Sequence, residues 1–187
     1  KPGPPKLSPS DPAWPGMAAR LIGQLKALVS GLDRADEFVW DHIGSTSVPG
    51  LAAKPFIDLQ LGVPSLDRLD GIALALEPAG FVDVATTRPG SPGVLRDMAR
   101  GNRPNSRWDK RLFASERAIL HVRQLDCAWW HYTTRFRDLL RTDAELRERY
   151  QRMKLDLAAA HGQDEDYDRY TIGKTEFFDT IQDRLDS

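Results

Sequence analysis

A chain of 187 residues, 41% apolar and 28% charged, has the size and composition of one soluble globular domain. Its net charge of −1 supplies no overall field to draw it to nucleic acid or a membrane surface, and no apolar run approaches the roughly 20 residues that span a bilayer. A single cysteine, Cys127, excludes a disulfide framework within the chain and suits a reducing cytoplasm, and no signal peptide is evident.

Residues 1–10, opening on Lys1-Pro-Gly-Pro-Pro, read as a flexible N-terminal segment, and residues 11–187 as one domain. Ser10-Asp-Pro is a helix start, with a capping side chain ahead of a proline in the first turn. Met17, Leu21, Ile22, Leu25, Leu28 and Val29 recur at helical spacing up to Gly31 and mark a buried face. Phe38-Val-Trp40 reads as a short strand. Pro49-Gly50 breaks the chain after a Gly-Ser turn, with a helical turn expected over Leu51–Lys54. Phe56–Val63 is a strand, apolar except for Asp58 and Gln60, which alternate onto one face. Ser65 is placed to cap a helix carrying Leu66, Leu69, Ile72, Ala73 and Leu76, ending near Pro78-Ala-Gly80; Phe81–Ala85 reads as another strand.

Residues 86–109 hold three glycines, three prolines and five arginines (Arg88, Arg96, Arg100, Arg103, Arg107), the composition of a basic loop or lid suited to a phosphate-bearing ligand. Lys110–Ser115 and Ala118–Leu125, joined by a tight turn, read as a β-hairpin. Three helices close the chain: from about Asp126 to Arg141, from the capping pattern Thr142-Asp-Ala-Glu145 onward, and from about Tyr167. Trp129-Trp130 and Phe177-Phe178 read as core, and His131 and His161 as surface or packing residues.

The chemistry gathers around His42-Ile-Gly-Ser-Thr-Ser-Val-Pro-Gly-Leu-Ala-Ala-Lys-Pro55. Gly44 permits close backbone approach, the hydroxyls of Ser45, Thr46 and Ser47 can donate to phosphate oxygens, and Lys54 adds a positive charge. Twelve residues separate Ser45 from Asp58. On an apolar strand an unpaired carboxylate is costly, so a metal ion or a cation is expected beside Asp58. A two-carboxylate metal site wants Asp-x-Asp, yet this chain reads Asp58-Leu-Gln60. The Gln60 amide can ligate Mg²⁺ without contributing charge, or read a group of a ligand. His121, on one strand face with Ile119 and Arg123, would beside Asp58 be a general base, or a metal ligand together with His42. Arg111 sits on a strand next to the proposed site. Lys154 and Lys174 each follow a tyrosine, Tyr150 and Tyr170, by one helical turn, so each pair can clamp a phosphate or carboxylate.

Together with Asp11-Pro-Ala-Trp14, Leu120-His-Val122, Phe136-Arg-Asp-Leu-Leu140, Tyr150-x-x-x-Lys154 and Tyr170-Thr-x-x-Lys174, that string occurs in the order seen in the GrpB-like (UPF0157) family, which the chain resembles from about Asp11 onward. It looks especially like the GrpB-like domain fused behind dephospho-coenzyme A kinase in actinobacteria, where Asp-x-Gln also replaces Asp-x-Asp. The resemblance implies an α/β (α+β) fold of the nucleotidyltransferase superfamily, with a mixed β-sheet flanked by helices and a helical C-terminal third. It also implies an ancestral site for Mg²⁺ and a nucleoside triphosphate, ATP foremost, in which Asp58 matches the first metal carboxylate and Gln60 the place of the second. The leading expectation is transfer of a nucleotidyl or phosphoryl group to a small-molecule acceptor. The alternatives are a catalytically degenerate nucleotide- or coenzyme A-binding accessory domain of a dephospho-coenzyme A kinase, and an ATP-dependent enzyme that activates a carboxylate.

Overall fold

The computed structural model describes residues 6–91, 93–97, 108–165 and 168–186. Residues 1–5 of the segment expected to be flexible, and residues 98–107 of the arginine-rich loop, lie outside the described residues.

Helix α1 (Trp14–Val29) starts later than the expected Ser10-Asp-Pro: Ala13 stands at its N-cap with no side-chain cap, Pro15 lies in its first turn, and it buries Trp14, Ala18, Leu25 and Val29. Strands β1 (Val39–Ile43), β2 (Ile57–Val63), β3 (Val82–Asp83), β4 (Lys110–Ala114) and β5 (Ala118–Gln124) form one sheet in the order β1-β2-β5-β4-β3. The β2–β5 pair is parallel and the others are antiparallel, so the sheet is mixed. β1 runs past Trp40 because His42 and Ile43 continue the ladder opposite Leu59 and Asp58.

Several elements depart from the sequence reading. Residues 51–54 form no helical turn: Ala53 exchanges two backbone hydrogen bonds with Ser8, at 2.8 and 3.0 Å, and the tight 3-10 turn falls earlier, at Ser45–Ser47. The same contact, with the Gly50 N–H donating to Ser10 Oγ at 3.0 Å, ties down the end of the segment expected to be flexible. The helix expected after Ser65 is split into a 3-10 turn at Leu66–Arg68 and helix α2 (Ile72–Leu76), because Gly71 takes a φ of 80°. β3 stops at Asp83, whose carboxylate accepts the Ala85 N–H at 2.9 Å and starts a helical turn, α3 (Val84–Thr87). Thr142 belongs to helix α4 (Ala128–Thr142), and Asp143 caps helix α5 (Ala144–Ala160) through the Leu146 N–H at 2.9 Å. Helices α6 (Asp168–Asp179) and α7 (Gln182–Asp186) complete a helical C-terminal third. Among the described residues no helix is long and apolar enough to cross a membrane.

Two cores result. On one face of the sheet, Leu59, Leu61, Phe113, Leu120 and Val122 pack with α1 and α2. The other core binds the C-terminal helices to the chain after β1, through Val48, Leu51, Leu140, Leu146, Tyr150, Phe177, Ile181 and Leu185. The second face of the sheet is polar, because ladder partners share a face. Asp58 and Gln60 of β2 stand with His121 and Arg123 of β5 and Lys110 of β4. The chain's charged chemistry is therefore enclosed between sheet and helices.

Gly62 marks the closest approach between β2 and the start of α4: a Cβ there would lie 2.4 Å from Leu125 Cδ2 and 2.8 Å from Trp130 Nε1. Gly62→Ala is expected to destabilise the fold by about 1–3 kcal/mol, as overpacking does. Gly23→Ala, on α1 with open space around it, is expected to be stabilising by up to about 1 kcal/mol. Thermal denaturation followed by circular dichroism checks both; equal melting temperatures for the two variants would contradict this packing.

Candidate functional site

The Gly-Ser turn is shaped by one close approach. Gly44 has a φ of 71°, and a Cβ on it would stand 2.7 Å from Asp58 Oδ2, so glycine lets the carboxylate lie against the backbone. Ser47 Oγ donates to Gly44 O at 2.6 Å. From behind, Arg141 of α4 donates twice to Ser47 O, at 3.0 and 2.8 Å, and Arg137 donates to His42 O at 3.2 Å while pairing with Asp41 at 3.3 Å. The turn is thus fixed by α4 and faces a cavity of about 410 Å³ between the polar sheet face and the C-terminal helices.

Of the residues singled out from the sequence, Gly44, Ser45, Thr46, Lys54, Asp58, His121, Lys154, Tyr170 and Lys174 line this cavity. Four others are directed elsewhere. Ser47 is buried, with its hydroxyl spent on Gly44 O. His42 pairs with Leu59, which puts it on the opposite sheet face from Asp58, and its Nε2 lies 2.9 Å from Thr46 Oγ1. It does not join Asp58 and His121 as a ligand set. Arg111 pairs with Val122 and also faces away; it donates to Asp83 at 3.1 Å and stacks on Phe113 at 5.2 Å. The β4 cation on the site face is its neighbour Lys110, since one residue of register reverses the face.

Gln60 is the fourth. It is 0% exposed, and its amide is fully engaged: Oε1 accepts from Arg123 Nη1 at 2.6 Å and Thr133 Oγ1 at 2.7 Å, while Nε2 donates to Trp130 O at 3.2 Å. Arg123 also holds Asp97 with two bonds, Nε to Oδ2 at 2.7 Å and Nη2 to Oδ1 at 2.8 Å, and Lys110 Nζ donates to the same Oδ1 at 2.8 Å. Burial pushes the Asp97 carboxyl up, but Arg123 and Lys110 outweigh it and bring it down to about 2. Burial dominates at Lys110 and lowers it to about 8 despite Asp97. Asp97, Lys110, Arg123 and Thr133 are site residues that the motif reading passed over. The signal for Arg123 was its shared strand face with His121; Asp97 sits in the irregular loop, where no periodicity marks it.

His121 joins this network to Asp58. Its Nδ1 lies 3.3 Å from Lys110 Nζ and 3.4 Å from Arg123 Nη2, while Nε2 lies 3.8 Å from Asp58 Oδ1. Charged lysine and arginine have no acceptor, so Nδ1 must be the accepting nitrogen and the neutral ring carries its proton on Nε2. Burial, and next the Lys110 charge, lower His121 to about 4 and keep it neutral. Its cavity-facing nitrogen is thus a donor, which does not fit the general-base role anticipated for it. At Asp58 burial acts upward, but the His121 ring and the Lys54 and Lys174 charges hold the carboxyl below its usual range.

Opposite Asp58 stand the lysines. Lys154 is 1% exposed; its Nζ donates to Ser45 Oγ at 3.0 Å and, in a very short contact, to Ala52 O. Burial, followed by the Lys174 and Lys54 charges, lowers it to about 7. Lys54 and Lys174 both lie over the Tyr170 ring, at 5.0 and 5.2 Å, and burial raises the Tyr170 phenol, which stays protonated. Trp129, Tyr132, Phe136, Tyr150 and Phe178 form an aromatic wall of the same cavity, so Trp129 and Phe178, read from sequence as core, line it.

The donor set does not fit a carboxylate-bound pair of Mg²⁺ ions. The position of the second carboxylate is a neutral amide with every polar atom bonded, Asp97 is neutralised by two cations, and Asp58 is faced by lysines. Among the described residues no three His, Cys, Asp or Glu side chains come together as a metal cage.

The buried histidines set an acid limit. His42, lowered to about 4 mainly by burial, and His121 are neutral in the fold but protonate in the unfolded chain below about 6.5. Stability is therefore expected to fall as pH drops from about 6.5 to 4, and to fall further towards 2 as Asp97 protonates. Urea unfolding at pH 7, 5.5 and 4.5 checks this, with His42→Gln and His121→Gln flattening the first limb; a pH-independent midpoint would contradict the neutral assignments.

A family profile described as "GrpB protein" matches residues 4–184. A dephospho-CoA kinase of Mycolicibacterium paratuberculosis is 31% identical over 94% of this chain, which spans 44% of that protein's length. The glutamate-rich protein GrpB of Alkalihalophilus pseudofirmus is 28% identical, with 89% of each chain covered. The crystal structure of conserved protein GrpB from Enterococcus faecalis superposes with a TM-score of 0.73 at 24% identity, covering 97% of this chain and 98% of that one. The mixed sheet and helical C-terminal third match that structure in fold, and the profile spans nearly the whole sequence: the chain belongs to the GrpB family.

Proposed function

We propose that the cavity binds a phosphorylated, nucleotide-like ligand, and that the domain is a binding module on a nucleotidyltransferase-type scaffold. The observation that carries this reading is the convergence of Lys54, Lys174 and Ser45 on a cavity that is also lined by Trp129, Tyr132, Phe136, Tyr150 and Phe178. Two ammonium groups and a hydroxyl held by Lys154 suit phosphate oxygens. His121 Nε2–H offers one more donor beside Asp58. The aromatic wall suits a planar base or an apolar arm. Charge that a transferase would neutralise with two metal ions is met here by lysines, so no transfer step is assigned to Asp58 and Gln60.

The kinase relatives favour a more specific form of this reading. Proteins named dephospho-CoA kinase match this chain over 94% of its length, within less than half of their own. A coenzyme A-like ligand would set its phosphates among the lysines and its pantetheine arm along Trp129, Tyr132 and Phe136, in the service of a fused or associated kinase.

Isothermal titration calorimetry with ATP and with coenzyme A tests both forms. Binding is expected to change less than about twofold between about 5 mM Mg²⁺ and excess EDTA, as for a metal-independent site. Lys174→Ala is expected to weaken it about tenfold or more, the loss of one charged hydrogen bond of about 1.5–3 kcal/mol. A steep Mg²⁺ dependence abolished by Asp58→Asn, with pyrophosphate release on adding an acceptor, would overturn the binding-module reading in favour of transfer.

A further inference from the structure

The least expected group in the cavity is Lys154. A buried ammonium ion ordinarily has a carboxylate partner, because leaving water costs several kcal/mol. Lys154 is 1% exposed, and its hydrogen bonds go to two neutral oxygens, Ala52 O and Ser45 Oγ. Among the described residues it forms no salt bridge. The charged and titratable groups that face it are Lys54 from the loop before β2, Asp58 from β2, Tyr150 from its own helix, and Tyr170 and Lys174 from α6. Two of these are cations. The Tyr150 ring, 5.0 Å from Nζ, and the aromatic wall beyond it keep the surroundings apolar. Burial and the two neighbouring ammonium groups favour the neutral amine, whose lone pair is nucleophilic.

We propose that Lys154 is a nucleophilic amine that forms an imine with an aldehyde or ketone group of an anionic ligand held beside Lys54 and Lys174. The Nζ lone pair attacks the carbonyl carbon, and the N–H proton passes to the carbinolamine oxygen through the Ser45 hydroxyl, 3.0 Å away. The C–O bond then breaks, the departing hydroxyl takes the second N–H proton and leaves as water, and the C=N bond forms, with no oxidant or reductant consumed. The lowering of Lys154 to about 7 agrees with this: about half of the amine is neutral at pH 7, against less than one part in a thousand for an ordinary lysine. The anionic part of the ligand rests on the phosphate-binding reading above; the amine chemistry does not.

Pyridoxal 5′-phosphate combines an aldehyde, a phosphate and a flat ring, and is the probe of choice. The protein is incubated with it at pH 7.0, reduced with borohydride, and mapped by peptide mass spectrometry. Lys154 is expected to be labelled at least tenfold faster than the exposed Lys26 on α1, with a labelling midpoint near pH 7 that rises in Lys174→Gln, where one neighbouring cation is gone. A merely structural Lys154, enclosed and unreactive, would give no reduced adduct at any pH. Labelling confined to Lys54, Lys174 or surface lysines, or a Lys154 midpoint above pH 9, overturns the inference. Pyridoxal, which lacks the phosphate, separates the two readings. Slower labelling by tenfold or more supports both. An equal rate at Lys154 leaves the amine chemistry standing and overturns the phosphate site. Calorimetric binding of ATP with Lys154 unlabelled overturns the imine alone.

Discussion

The site depends on one buried guanidinium. Arg123 is 2% exposed on a sheet face covered by helices, where an uncompensated charge would cost several kcal/mol. Its planar fork meets Asp97 with two bonds and Gln60 with a third, and it borders His121 Nδ1. Each contact places something else. The Asp97 bonds fasten the middle of the 86–109 loop onto β5; Asp97 in turn holds Lys110, and Lys110 with Arg123 decides which nitrogen of His121 keeps its proton. The Gln60 bond closes the network against α4 through Thr133 and Trp130. The polar sheet face can be buried because these groups satisfy one another.

That arrangement gives the cavity two unlike ends. Near Arg123 the charges are paired and the polar atoms committed, so this end is a rigid floor. Near Gly44 a lowered carboxylate, a neutral imidazole donor and the lysines of α5, α6 and the loop before β2 face the cavity together. The two ends communicate through His121, whose Nδ1 belongs to the floor and whose Nε2 lies beside Asp58.

Much of this was legible in the sequence where physics is local. The helical spacing of Leu21, Leu25 and Val29 and the apolar run of β2 interrupted by Asp58 and Gln60 each express one element's own needs. Strand parity was not legible without register. His42 and Arg111 are each one residue away from the site face, and only the pairing of Ile43 with Asp58 and of Lys110 with Arg123 reveals it. Asp97 was hidden for another reason: it lies in a stretch without periodicity and matters only through partners on a distant hairpin. Residue type alone suggested that Lys154 and Lys174 were equivalent. Burial separates them, leaving Lys154 enclosed against Ser45 and Ala52 and Lys174 beside the Tyr170 ring.

The Asp-x-Gln sequence can be understood in the same terms. An amide at position 60 has one oxygen for two donors, Arg123 and Thr133, and one N–H group for the Trp130 carbonyl. A carboxylate in that place would turn a second oxygen towards the carbonyl and lose the donor, while its charge would compete with Asp97 for Arg123. Gln60 is therefore matched to its surroundings as a strut, its oxygen facing two donors and its nitrogen a carbonyl. An aspartate at this position would stand among cations and a hydroxyl already arranged around a neutral amide. The amide at position 60 belongs to the whole network, from Asp97 on the loop to Thr133 on α4.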